Sequence, residues 1–386
     1  MWLPNVSYIT SLNVWGYAWH SFPFFIKICF AISVIALTGI LLAVTSIIAR
    51  RTSKKSEEEK RSLISSRIND MLLQAVVLDK ETNGLSNSKK KFDIGPLYKL
   101  GLTPKKVKQI LVTEMLCYRN NFSGTIADRV RMLYISLGLH KEAMVRLHKK
   151  NWEVKVNALA QLFKMDVAVD HSYLVKLVED HNRYIREYAR LSLMKFTKED
   201  PLELLRELNE PISQWQEFEI FLLFQEKKNY TPGSMEGLIS LDKEPTVVSL
   251  CLQLAVYFKQ QQSVPLIIAL IETSNLKLRA EAITALGKLE AQDAAKHLVH
   301  IYLHQPQEIK LAILTALGRI RSGRYLNFLE DEFIVSDDFE IKKYASDAII
   351  KLYPLSKTTI DNLMDNRETL NQRILNHSLN PLINSL

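Results

Sequence analysis

Three histidines, His297, His300 and His304, follow one another at spacings of three and four. On a helix those offsets bring two or three imidazoles to one face, where neutral ring nitrogens can hold a transition metal. No HExxH motif accompanies them and no carboxylate lies among them, so a solvated or core-edge stripe explains them better. The acidic groups Glu330–Asp331–Glu332 and Asp337–Asp338 fall at helix ends or turns, and stabilisation of a helix start explains the second. Cys29, Cys117 and Cys251 are far apart and form no CxxC pair, which suggests neither a disulfide framework nor a thiolate zinc site. Cys29 in an apolar run and Cys251 in an apolar column read as small buried hydrophobes, which fits a reducing compartment. GxSxG, Walker A, Rossmann and kinase signatures are absent from the sequence. The expectation is a chain with no catalytic residues, no metal and no cofactor, and no enzymatic activity.

Attention therefore shifts to surfaces and to the elements that carry them. The net charge of +8 is concentrated: residues 50–110 hold 15 basic and 7 acidic side chains, and the long remainder after them is close to neutral. A neutral C-terminal part argues against nucleic-acid binding, which needs a local basic surplus. A hydrophobic content of 47% excludes a wholly disordered chain.

Residues 28–49 are 22 residues without a charge. As a helix they extend about 33 Å, enough for a hydrocarbon core of about 30 Å. A cleaved signal peptide would be shorter in its apolar part and would carry its basic residues in front. Here Arg50, Arg51, Lys54, Lys55, Lys60 and Arg61 follow, and only Lys27 precedes. The positive-inside rule then puts the N-terminus outside and the C-terminal domain in the cytoplasm, with a bacterial inner membrane as the expected location. The outer stretch 1–27 is aromatic, with Trp2, Tyr8, Trp15, Tyr17, Trp19, Phe22, Phe24 and Phe25. Such rings suit the headgroup region; gripping another membrane protein is the alternative.

Residues 50–102 form a basic juxtamembrane connector. Arg50, Arg51, Lys54 and Lys55 are its candidate contacts to anionic lipid. Setting topology and solubility explains the same charges equally well, because Glu57, Glu58 and Glu59 interrupt the cluster. Leu63, Ile64, Ile68, Met71, Leu72 and Ala75 recur at helical spacing and predict an amphipathic helix, and ETNGLSNSKKK predicts a loop. Thr103 before Pro104 is a helix-start signature that opens an N-terminal helical cap over 103–139.

A repeat dominates the rest. Copies begin at Val154, Ile185, Val247, Leu278, Ile309 and Ile341, with one interval double, so a further copy is due at Gln216. With the first residue of each copy numbered zero, slots zero, four and eight are apolar in 20 of 21 cases. Offsets of four and eight lie on one helix face, and small residues in slot four allow close approach of a neighbour. A second, shorter apolar pattern lies between copies, as in HSYLVKLVED, VPLIIALIE and RYLNFLEDEF. Two helices per 31 residues make a solenoid unit that buries its apolar face only by stacking. The expected fold class is all-α: an alpha-alpha superhelix of about seven such hairpins over 140–353, preceded by one transmembrane helix and closed by a C-terminal cap and tail over 354–386. Asp361–Asn371 is the expected capping helix.

LRAEAITALGKL and IKLAILTALGRI resemble the second helices of HEAT repeats, and the 31-residue period resembles the compact, phycobilisome-lyase-type variety. The resemblance covers roughly 140–353. It implies a helical solenoid, and a slot-one basic ladder paired with acids of adjacent repeats: Lys155, Arg186, Arg279, Lys310 and Lys342.

The ladder lapses at Glu217 and Val248, where EFEIFLLF makes a helix apolar on most faces. Plain burial explains such a helix; the functional reading is a partner groove near 215–258 marked by Glu217, Phe218, Phe221, Val248 and Gln253. Gly287 and Gly318, both in slot nine, are expected to serve tight packing. The expected function is a membrane-anchored, cytosol-facing scaffold that binds an unnamed protein partner or membrane complex. The alternatives are a chromophore lyase or another enzyme on HEAT-like repeats, and an accessory factor of envelope polysaccharide machinery.

Overall fold

A computed structural model describes residues 23–78, 92, 94–197, 200–227, 230–365 and 369–380. The aromatic stretch up to residue 22, the polar loop over 81–91 and the end of the tail lie outside the described residues. The described residues contain helices and turns and no strand. They fall into two compact units, 1–143 with 164–167, and 144–163 with 168–386.

The first unit begins with α1, Phe24–Leu72, a single helix of 49 residues that continues into widened π-helical turns over Leu73–Leu78. It is about 73 Å long. α1 runs straight from the apolar segment through the charge cluster RRTSKKSEEEKR of the connector. Between Gly39 and Gly84 there is neither Gly nor Pro, and Arg, Lys and Glu are good helix formers, so nothing stops it. None of its apolar window is buried by protein. The hydroxyls inside that window are satisfied by the helix itself: Ser33 donates to Cys29 O at 2.8 Å, Thr38 to Val34 O at 3.0 Å and Thr45 to Leu41 O at 3.0 Å. The far end differs. Ile64, Ile68, Leu72 and Val76 are buried together with Val107, Ile110, Leu111 and Met115 of α2, Pro104–Asn121, and Ala127, Val130, Leu133 and Tyr134 of α3, Thr125–Ser136. Leu63, named with them in the sequence, is exposed instead. Thr103 caps α2 by accepting from Lys106 N. The helix α4, Leu139–Leu147, spans the division between the units.

The second unit alternates longer and shorter helices. The longer ones occupy the repeat copies: α5 Trp152–Lys164, α7 Arg183–Phe196, α9 Gln214–Glu226, α10 Pro245–Tyr257, α12 Leu276–Lys288, α14 Gln307–Ile320 and α16 Phe339–Lys351. The shorter partners are α6 His171–Val178, α8 Pro201–Arg206, α11 Val264–Ala269, α13 Ala294–Ile301 and α15 Leu326–Val335. Consecutive longer helices α12, α14 and α16 pack directly on one another, and α15 packs on α16. Between α9 and α10 no short helix forms; residues 230–244 run as loop and turns.

The apolar columns form the core. Every slot-four and slot-eight residue is buried, from Ala158 and Leu162 to Ala345 and Ile349. Slot zero is buried too, except Val154, which is half-buried. The copy at 216 keeps the register, with Ile220 and Phe224 in the core. Gln216, however, occupies a slot that other copies fill with Val, Ile or Leu, is 1% exposed, and has no hydrogen-bond partner for either amide atom.

The two slot-nine glycines are explained by contact distance. A Cβ built on Gly287 would lie 2.8 Å from Ala316 Cα, and one on Gly318 would lie 2.8 Å from Ala348 Cα. Both alanines occupy slot seven of the next copy, so the same backbone-to-backbone approach repeats along the stack.

Polar signals repeat at the same period. Three residues before slot zero, Asn151, Asn182, Ser213, Asn275 and Asp338 each accept from backbone N–H groups that open the following helix. Slot twelve holds Asp166, Lys259, Glu290 and Arg321, all at φ between 52° and 56°. There the chain leaves the longer helix through a left-handed residue. Gln261 and Gln292, one period apart, donate to Leu289 O at 2.7 Å and Ile320 O at 2.5 Å, the last turns of the next long helices. At the C-terminal end, two helices stand where the sequence predicts one, α17 Lys357–Asp365 and α18 Thr369–Leu379, and α18 packs on α16.

Two substitutions check this packing by chemical denaturation of the full chain. Gly318→Ala forces a methyl against backbone and should destabilise by about 1–3 kcal/mol. Gln216→Leu removes an unpaired buried amide and should stabilise by about 1–3 kcal/mol.

Candidate functional site

The slot-one residues project from the start of the longer helices toward the turns that enter the next repeat. Lys155 Nζ lies 3.4 Å from Asp180 Oδ2. Arg186 makes a two-pronged contact with Glu210, at 3.1 Å from Nε and 2.8 Å from Nη2, and donates through Nη1 to Asp180 O at 2.9 Å. Arg190 pairs with the same carboxylate. These two guanidiniums hold the Glu210 carboxyl below its ordinary pKa, against the opposing effect of partial burial.

Further along, the acid partners that the ladder implies give way to neutral ones. Arg279 donates to Thr273 O at 3.0 Å and to Gln305 Oε1 at 2.5 Å. Lys310 Nζ sits 5.3 Å over the Tyr302 ring. Lys342 donates to Ile334 O at 2.9 Å and Asn371 Oδ1 at 3.0 Å. The turn ahead of α14 offers the Gln305 amide and α18 the Asn371 amide, where the turns ahead of α7 and α9 offer carboxylates. Each base is engaged by protein groups, and Lys155, Arg186, Arg279 and Lys342 tie their helices to the element that follows.

Where the ladder lapses, the side chains turn to one another. Gln253 Nε2 donates to Glu217 Oε1 at 2.5 Å, and Ser249 Oγ lies 3.5 Å from the same oxygen. The bond joins α9 to α10 across their outer faces. Phe221 meets Tyr257 edge to face at 5.5 Å. Beside these contacts lies a groove of about 480 Å³. Phe221, Ser249, Gln253, Val256 and Tyr257 line one side; Ala280, Glu281, Thr284 and Lys288 of α12 line the other. Its base is apolar, and Glu281 and Lys288 give its rim one charge of each sign.

Of the five residues the sequence assigns to this surface, Phe221 and Gln253 line the groove, and Glu217 braces it through Gln253. Phe218, one turn before Phe221 on α9, is exposed at 59% and does not line the groove. Val248 requires correction: it is wholly buried, because slot one of α10 points into the core where the basic ladder is absent. The groove also sits one helix further along than 215–258, since α12 supplies a wall. Small residues at Ala280 and Thr284, opposite Tyr257, are the signal that marks this wall in the sequence.

Other candidates separate clearly. His297, His300 and His304 are all exposed. Cys251 is fully buried, and burial pushes its thiol up to about 12, which leaves it protonated and unreactive. Cys29 and Cys117 are exposed; the expectation of burial for Cys29 fails because no protein element covers the apolar part of α1.

Residues 235–318 match the family model for HEAT repeats. This span carries HEAT repeats. The matched span runs from the loop before α10 to the end of α14, so it includes both walls formed by α10 and α12. No curated protein matches the chain. Among solved structures, the chain is similar to the complex of CpcE and CpcF of phycocyanin lyase from Nostoc sp. PCC7120. That match has 15% identity and a TM-score of 0.27, and covers 55% of this chain and 76% of the other.

The Arg186–Glu210–Arg190 cluster of the helical stack gives a pH test. The folded-state pKa of Glu210 lies below its ordinary value of 4.5, so its stabilisation is full above that value and fades as pH falls through the folded-state pKa. Glu210→Gln should cost about 1 kcal/mol at pH 7. The gap between wild type and variant in denaturation midpoint should close in acid.

Proposed function

We propose that this chain is a non-catalytic, membrane-anchored scaffold whose HEAT stack holds a protein partner at the cytosolic face. The observation that carries the reading is α1: its apolar window is long enough to span a bilayer, is uncovered by protein, and continues without a break into a helix base packed in a folded unit. Inside a bilayer a helix must satisfy its own polar groups, and the back-bonded hydroxyls of Ser33, Thr38 and Thr45 meet that requirement. The basic residues that follow the span favour a cytosolic location for everything after residue 50. Tethering raises the local concentration of the stack near a membrane-bound partner.

The groove between α10 and α12, with Phe218 one turn before Phe221 on α9, is the surface assigned to that partner. An apolar floor with a mixed polar rim suits a protein segment better than a polyanion. The engaged slot-one bases and the neutral charge of the stack leave no basic track for nucleic acid.

Two measurements check the proposal. In native membranes the full chain should resist carbonate extraction; protease added to intact spheroplasts should remove an N-terminal tag and should cleave the C-terminal domain only after lysis. Photo-crosslinkers at Phe218 and Gln253 should capture the same protein, and Phe218→Glu should reduce that capture at least fivefold without loss of helical content. A chain released by carbonate, or capture indifferent to Phe218→Glu, contradicts the reading.

A further inference from the structure

The strongest unassigned feature is a polar pocket of about 510 Å³ on α1 just beyond the apolar segment. It lies between one face of the helix, with Thr52, Ser53, Ser56 and Lys60, and the loop over 101–103 at the start of α2, with Lys106. All of these residues belong to the first unit. Lys106 is paired with Glu57 at the pocket edge. Lys60 is exposed and makes no ion pair or hydrogen bond among the described residues, although its Nζ hangs 3.5 Å from the position of a Cβ on Gly101. Two ammoniums against one carboxylate leave the lining with a net charge of +1.

We propose that this pocket binds the phosphate-bearing headgroup of an anionic phospholipid. The inference rests on the spanning reading of α1, and its height on the helix is what selects a lipid. Thr52, Ser53 and Ser56 follow the last apolar residue, Ala49, by three to seven positions, which is about 5–10 Å along the axis. The headgroup layer on each side of a bilayer is about 5–8 Å deep. Side chains on a helix lean toward its N-terminus, which for α1 is toward the bilayer. The Lys60 ammonium lies against Gly101, on the loop side of the same pocket. Thr52 gives its hydroxyl to Ile48 O and Ala49 O, so the Ser53 and Ser56 hydroxyls and the Lys60 ammonium are the donors offered to a phosphate diester.

The site is not the one the basic cluster suggests. Arg50, Arg51, Lys54 and Lys55 are absent from the lining, because steps of about 100° per residue carry them to other sides of the helix. They add diffuse attraction to an anionic surface; the pocket adds a defined position.

The test uses the full chain in nanodiscs containing phosphatidylcholine and phosphatidylglycerol, with retained lipid counted by native mass spectrometry. Wild type should retain phosphatidylglycerol in excess of its share of the disc. Lys60→Gln should cut that excess roughly fivefold, Ser53→Ala with Ser56→Ala should also lower it, and Arg51→Gln with Lys55→Gln should keep it. Equal retention of both lipids, or equal loss in the Arg51 and Lys55 variant, overturns the site while the spanning reading stands. In detergent, thermal protection by inorganic phosphate equal to that by phosphatidylglycerol would make this a free-anion site and overturn the lipid assignment. A chain that never enters the discs defeats the spanning reading and this site with it.

Discussion

A helical hairpin of this length has no second layer of its own, so its apolar stripe stays wet until another hairpin covers it. That constraint sets most of the second unit. The covering helix must arrive at one period and one rotation, and slot four shows the consequence: Ala158, Ala189, Cys251, Ala282 and Ala345 keep the inner face small where Ile220 and Ile313 do not. Near the C-terminal end the approach tightens until Gly287 and Gly318 face the backbone of the next helix. Such contact leaves no room for a methyl, so local helix propensity is given up for closeness between layers.

The periodic polar residues follow from the same geometry. A longer helix needs its first N–H groups satisfied, and in five of the seven copies Asn, Ser or Asp three residues before slot zero supplies that; Glu244 and Pro306 stand there in the other two without a side-chain cap. It must also leave sharply, and a residue in the left-handed region at slot twelve makes the turn. The slot-one bases then cross to the next entry turn. Repetition of caps, exits and crossings stiffens a stack whose contacts are otherwise only between neighbours.

Much of this was legible in the sequence because burial on a 3.6-residue period leaves an apolar trace. The columns, the register of the copy at 216 and the role of the slot-nine glycines all rest on that trace. The caps and the left-handed exits were equally periodic but polar, and an apolar search passes over them. Val248 was misplaced for a related reason: without a charge in slot one, the sequence does not say which way that position faces. The far wall of the groove was missed because Ala280 and Thr284 are notable only when set opposite Tyr257, a relation between layers. The sequence names the apolar span and the amphipathic helix separately; Arg, Lys and Glu without Gly or Pro join them into one helix.

The first unit obeys a different rule. One end of α1 is buried by α2 and α3 and the other by no protein, so a single helix passes from a folded base to an apolar rod. The account as a whole depends on the layers being interchangeable in register. Excision inside a helix tests this most directly. Removing 283–313, one full period, joins Ala282 to Leu314 and preserves every slot. Removing 283–311 leaves two extra residues and turns the fused helix by about 200°. Circular dichroism with thermal melting should show a helical chain with a cooperative transition for the first deletion and loss of that transition for the second. Equal behaviour of the two deletions, whether both fold or both fail, would contradict a stack held by a fixed period.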